Sequence, residues 1–265
     1  MAEGFRVELF ASEQDFPELR NPVSMNFDTK GRLWIATMPS YPHALPDVKP
    51  NDQIIILEDT DRDGKADKRT VFAENLYLPL GFELGFGGVF VSQEPNLVFL
   101  EDTNNDDRAD KKTILLHGFG SEDSHHAIHM FIWGPGGGLY MQESVFHHTQ
   151  VETIYGPRRS IDNAIYRFDP RTLKLDIAAR LPPGGNAWGH AINRWGQHLY
   201  VGGHLNPALI HHPGPGYVQP PPYKNTDYRY CEQEFITSHH WPDKYQGLVG
   251  SNQYRSSHGG HLHDW

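Results

Sequence analysis

Histidine changes charge near neutral pH and also ligates transition metals, and this chain holds 17 of them. Only His43 precedes residue 117, so the chemistry is concentrated in the second half. The segment SEDSHHAIHMFIWGPGGGLYMQESVFHH carries His125, His126, His129, His147 and His148. If 125–133 is extended, His125 and His129 share one face and His126 the other. A metal reading uses His125 and His129 with His147 or His148 and one of Glu122, Asp123 or Glu143, to hold a transition metal that activates water. A general-base reading uses His126, which can take a proton from a hydroxyl. The plainer alternative is that these rings close turns and hydrogen-bond buried backbone.

A related stretch follows, GGNAWGHAINRWGQHLYVGGH, with Asn186, Trp188, His190 and His204. Asn186 and His190 precede a Gly turn and strand as His126 does, which predicts that they reach the same place. Trp188 offers a face for a flat ligand or sugar ring, or else fills the core. His211, His212, His239, His240, His258, His261 and His263 show no spacing that builds a site.

The second chemical pattern is acidic. In DTDRDGKAD, Asp59, Asp61, Asp63 and Asp67 alternate around Gly64 as hard oxygen ligands for Ca²⁺ do, although the closing position is Thr70 rather than Glu. A second copy offers Asp102, Asn104, Asp106 and Asp110, with Asp107 where the glycine stood. The competing reading is a solvated hairpin in which Asp favours the turn.

These loops belong to a repeat. QIIILEDTDRDGKADKRTVFAEN (53–75) and NLVFLEDTNNDDRADKKTILLHG (96–118) are offset by 43 residues. A Gly turn feeding a short apolar strand recurs with strand starts at Leu33, Val89, Leu139 and Leu199. That is the period of a blade, and no segment carries a helical period. The chain therefore reads as all-β, a β-propeller of four-stranded antiparallel blades in one domain over 1–265, with a Pro-rich inter-blade loop at 211–224. The spacing gives fewer than six blades, so the chain reads as closing with five or as a truncated six-bladed ring. A truncated ring would leave a sheet edge through which the chain could dimerise.

The net charge of −10 leaves no basic surface for nucleic acid. One cysteine, Cys231, excludes an internal disulfide and Cys-based metal or haem sites. The sequence holds no apolar run long enough for membrane insertion and no G-x-S-x-G, P-loop, G-x-G-x-x-G or H-E-x-x-H motif.

HAIHMFIWGPGGGLYM is similar to the stretch of soluble quinoprotein glucose dehydrogenases in which a catalytic His lies eight residues before a Gly-Pro-x-Gly turn; here His126 precedes Gly134-Pro135 by eight. GFRVELFASE, LEDTDRDGKADKRTVFA, HGFGSEDSHHAI and WGHAINRWGQ resemble the N-terminal domain of large planctomycete-type multidomain proteins assigned as membrane-bound dehydrogenases. The resemblance implies a six-bladed propeller, a periplasmic or secreted location, and pyrroloquinoline quinone with Ca²⁺ as cofactors. In that setting His126 would take the proton of a sugar hydroxyl, and Asn186, with Trp188 and His190 nearby, would help hold the cofactor. Gly185 stands where those relatives carry an arginine. The expected function is thus an oxidoreductase on a sugar or alcohol hydroxyl, passing electrons to a separate acceptor. The alternatives are a metal-dependent hydrolase or lyase acting through the His cluster, and a non-catalytic carbohydrate-binding propeller.

Overall fold

The computed structural model describes residues 6–181, 186–200, 208–210, 230–253 and 260–263. The described residues form twenty strands and one 3₁₀ turn at Asp243–Tyr245, as the absence of helical periodicity requires. The chain divides into two compact units, Met1–Leu115 and Leu116–Trp265.

The first unit holds two four-stranded antiparallel sheets, in the orders β1(Pro22–Phe27), β2(Leu33–Thr37), β3(Asp52–Glu58), β4(Lys68–Leu76) and β5(Phe82–Gly85), β6(Gly88–Gln93), β7(Asn96–Glu101), β8(Lys111–His117). The 43-residue repeat is the β3–β4 hairpin and its β7–β8 counterpart. The run IIIL in β3 is apolar throughout because both faces of the sheet are covered. Ile54 and Ile56 pack with Trp34, Phe72 and Val89 on one side, while Ile55 and Leu57 pack with Leu19 and Ile35 on the other. Burying each such side chain contributes about 1.5–3 kcal/mol.

In the second unit one sheet is ordered β14(Lys174–Arg180), β13(Ala164–Asp169), β10(Leu139–Glu143), β9(His129–Trp133). A separate hairpin, β11(His148–Val151) with β12(Arg158–Ile161), is inserted between β10 and β13. Two sheets of three described strands follow, β15(His190–Ile192), β16(His198–Tyr200), β17(Ala208–Ile210) and β18(Tyr230–Phe235), β19(Val249–Gln253), β20(Gly260–His263). Each predicted Gly-turn strand is the second of its sheet: β2, β6, β10 and β16. The Pro-rich 211–224 lies outside the described residues.

Candidate functional site

The loop that leads into β9 gathers most of the chemistry. It is anchored at Gly118, whose carbonyl accepts the Gln150 N–H at 2.9 Å. The backbones approach so closely that a Cβ on Gly118 would lie 2.1 Å from the Gln150 oxygen, and φ there is +110°. Only glycine fits both demands.

Residues 125–128 are not extended as expected but form a turn, with β9 beginning at His129. Asp123 is the cause. Its Oδ1 accepts the His125 N–H at 2.7 Å and its carbonyl accepts the His126 N–H at 3.1 Å, a local pattern that competes with strand pairing. Both imidazoles therefore turn to the same carboxylate, His125 Nδ1 at 3.1 Å and His126 Nδ1 at 3.3 Å. Partial burial pushes Asp123 up, yet the His125 N–H and the two neighbouring rings outweigh it and hold the carboxyl below its ordinary range.

His126 is only 6% exposed. Its Nε2 stands 2.6 Å from Oδ1 of Asn186, so the two residues that the sequence placed in equivalent positions do meet, across 60 residues of chain. Asn186 itself is exposed. The neighbouring Glu122 serves the second histidine pair, with His147 Nδ1 at 3.4 Å and His148 Nδ1 at 3.2 Å. Adjacent carboxylates thus each grip two adjacent histidines.

The four histidines expected to share a metal do not converge. His129 is fully buried, with Nδ1 2.6 Å from the Ala127 carbonyl and Nε2 3.2 Å from that of Ala187, and its ring stacks on Trp188 at 4.2 Å. Burial pulls it down to about 4. His147 Nε2 contacts the Asp123 carbonyl at 3.0 Å, whereas His125 and His148 are exposed. Trp188 spends one face on His129. His190 does not join the group either: buried, it lies 2.9 Å through Nε2 from His198 Nδ1, and burial drives it well below the ordinary range. His204, His211, His212, His258 and Gly185 lie outside the described residues.

Glu143, weighed only as a metal ligand in the sequence, is a buried hub at the end of β10. It accepts hydrogen bonds from Tyr166 at 2.5 Å, from Ser160 and the Gly120 N–H at 3.3 Å, and from Thr149. Burial pushes it up to about 7 against those donors. Its place at the end of a strand that begins apolar (LYM in LYMQE) was the available signal.

In the first acidic loop, Asp59, Asp61 and Asp67 bring ligand oxygens within 4.8 Å of one another. Asp63 turns away to accept the Lys65 N–H at 2.8 Å. The second loop repeats the same hydrogen bonds, Asp106 N–H to Asp102 and Asn104 and Arg108 N–H to Asp106, with Asp110 held by Thr103. Its counterpart of Asp61 is the neutral Asn104, and Asp107 is committed to Arg32 at 2.8 Å. Two carboxylates remain where the first loop has three.

A family model described as a domain of unknown function (DUF7133) matches residues 1–239. A search of curated proteins finds no match. Among solved structures, a candidate oxidoreductase (glucose dehydrogenase) from Thermus thermophilus is 16% identical with a TM-score of 0.55, over 92% of this chain and 82% of that one. The PQQ-bound aldose sugar dehydrogenase of Streptomyces coelicolor is 11% identical with a TM-score of 0.52, over 92% and 81%. The Dos1 propeller is 9% identical with a TM-score of 0.51, over 91% and 59%. These likenesses show the β-propeller fold. Among the described residues no helix is long and apolar enough to cross a membrane.

Proposed function

The chain belongs to the DUF7133 family, and from its Asp123–His126–Asn186 arrangement we propose that it is a propeller enzyme that oxidises a hydroxyl of a sugar or alcohol. The observation that carries the reading is His126, nearly buried, with Nδ1 facing a carboxylate and Nε2 held by an exposed amide. The Asp123 carboxylate, 3.3 Å from Nδ1, favours the tautomer with the proton on Nδ1, and Nε2 can take a proton once the Asn186 oxygen, which only accepts, has turned away. A hydroxyl that displaces the Asn186 side chain loses its proton to Nε2. The hydride on the same carbon passes to a separate two-electron acceptor. The imidazolium then donates from Nε2 to Asn186 Oδ1, the contact seen at 2.6 Å. The names of the dehydrogenase neighbours support the redox assignment, and the resemblance supports a periplasmic or secreted location.

Pyrroloquinoline quinone does not fit the groups set against His126. An anionic polycarboxylate needs fixed cations, whereas among the described residues this ring faces Asp123, Asn186, His125 and Phe146. The same observation favours a second, redox-neutral reading, in which His126 takes a proton to start elimination or hydrolysis on a carbohydrate. A panel of sugars and alcohols with an electron-accepting dye separates the two: dye reduction with a product short of two hydrogens supports oxidation. Products of cleavage without dye reduction establish the other.

A transition metal at His125, His129, His147 and His148 does not fit either, since His129 faces backbone carbonyls through both nitrogens. Calcium fits the first acidic loop, where Asp59, Asp61 and Asp67 would hold it and tie down the β3–β4 hairpin. Free calcium at ten times its dissociation constant is expected to stabilise the protein by about 1.4 kcal/mol, a rise of roughly 3–6 °C in Tm. Asp59→Asn with Asp61→Asn abolishes the rise. A calorimetric scan with and without chelator that shows one Tm removes calcium from this loop.

A further inference from the structure

Phe146, between β10 and β11, has φ +75°. A bulky residue without a polar atom rarely takes this left-handed backbone, and such strain persists only where the surroundings impose it. Burial does not compensate for it, because the side chain is 61% exposed. The conformation is clamped across the neck of the inserted hairpin. Phe146 N–H donates to Asp162 Oδ1 at 3.0 Å, and Asp162 N–H donates to the His147 carbonyl at 2.9 Å. Asp162 is itself left-handed, at φ +58°.

The clamp holds an apolar ring in water beside the base. Its centroid lies 5.9 Å from that of His126, edge to face. The polar groups that meet His126 itself are the exposed Asn186 amide, the exposed His125 and the partly exposed Asp123 carboxylate. An apolar face bordered by planar hydrogen-bonding groups complements a pyranose, whose C–H face is apolar and whose rim is hydroxyl. A folding requirement alone would favour Gly or Asn at 146.

We propose that Phe146 is a stacking platform for a pyranose ring and restricts the substrate to cyclic sugars. The proposal deepens the oxidation reading and rests on it only for the hydroxyl that meets His126.

Binding is measured apart from turnover, by calorimetry and by saturation-transfer NMR, with a panel of methyl pyranosides and with the acyclic alditol sorbitol. The wild type is expected to bind at least one pyranoside, with saturation reaching its ring C–H protons, and to bind sorbitol far more weakly. Phe146→Gly weakens pyranoside binding about 3- to 10-fold, while its Tm stays at or above the wild-type value because glycine accepts the backbone. Phe146→Tyr keeps the binding, and so does His126→Gln. The platform is overturned if Phe146→Gly binds pyranosides as the wild type does, if sorbitol binds equally well, or if the wild type binds none of the panel. Unchanged turnover in His126→Gln, with binding still lost in Phe146→Gly, sinks the base assignment and leaves the platform standing.

Discussion

His126→Ala is expected to lower kcat by about 10²- to 10⁴-fold on whichever substrate the panel reveals, the range a positioned general base supplies. The substrate's KM should move far less, because the imidazole is nearly buried and contributes little contact surface. Added imidazole should restore part of the rate, since the side chain leaves a polar gap between Asp123 and Asn186, each within 3.3 Å of a ring nitrogen in the wild type. Neither carboxylate nor amide can replace it. Asp123 lies below the ordinary carboxylate range and is a poor proton acceptor at neutral pH, and an amide has no basic lone pair there. Steady-state kinetics with and without imidazole decide the point: a rate within threefold of wild type ends the assignment of His126.

Glu143→Gln is expected to change how stability depends on pH. In the fold Glu143 is pushed up from 4.5 to about 7, chiefly by burial. Between those values the unfolded chain has released this proton while the native state keeps it. Native stability therefore falls as pH rises from 4.5 and levels off above about 7. His129 acts in the opposite sense. It is pulled from 6.5 to about 4, so the unfolded state binds the extra proton, and stability is gained as pH rises through that window. The two slopes largely offset each other in the wild type. Removing the carboxylate leaves the histidine slope exposed. Relative to wild type, Glu143→Gln should gain about 3 kcal/mol between pH 4.5 and 7.5, roughly 6–12 °C in Tm. Thermal melts across that range test it, and parallel curves for the two proteins would show that Glu143 is already ionised at low pH.

Much of the fold was readable because its signals are local. Gly turns followed by Leu33, Val89, Leu139 and Leu199 mark the hairpin into the second strand of four sheets, and the IIIL run of β3 is apolar because the sheet is covered on both faces. The meeting of His126 with Asn186 was readable too, from their equivalent places ahead of those turns. The rest depended on contacts that residue types do not encode. Whether 125–128 runs extended or turns depends on one side-chain oxygen of Asp123. That His129 would spend both nitrogens on carbonyls could not be told from a ligating histidine. Phe146 gives no hint of a left-handed backbone, because the residue that imposes it, Asp162, lies sixteen positions later.

The β11–β12 hairpin leaves the chain between two strands that pair directly with each other. It carries His148, Thr149 and Ser160, and its neck carries Phe146, His147 and Asp162. The Asp123–His126 pair and Asn186 lie outside it. On the proposed reading, the base and the stacking ring come from different stretches of sequence, joined where the Gln150 N–H meets the Gly118 carbonyl. A lineage could lengthen, shorten or exchange the hairpin's far end, between Val151 and Arg158, without disturbing Phe146, the Gln150–Gly118 contact that anchors the loop of the base, or the register of β10 against β13.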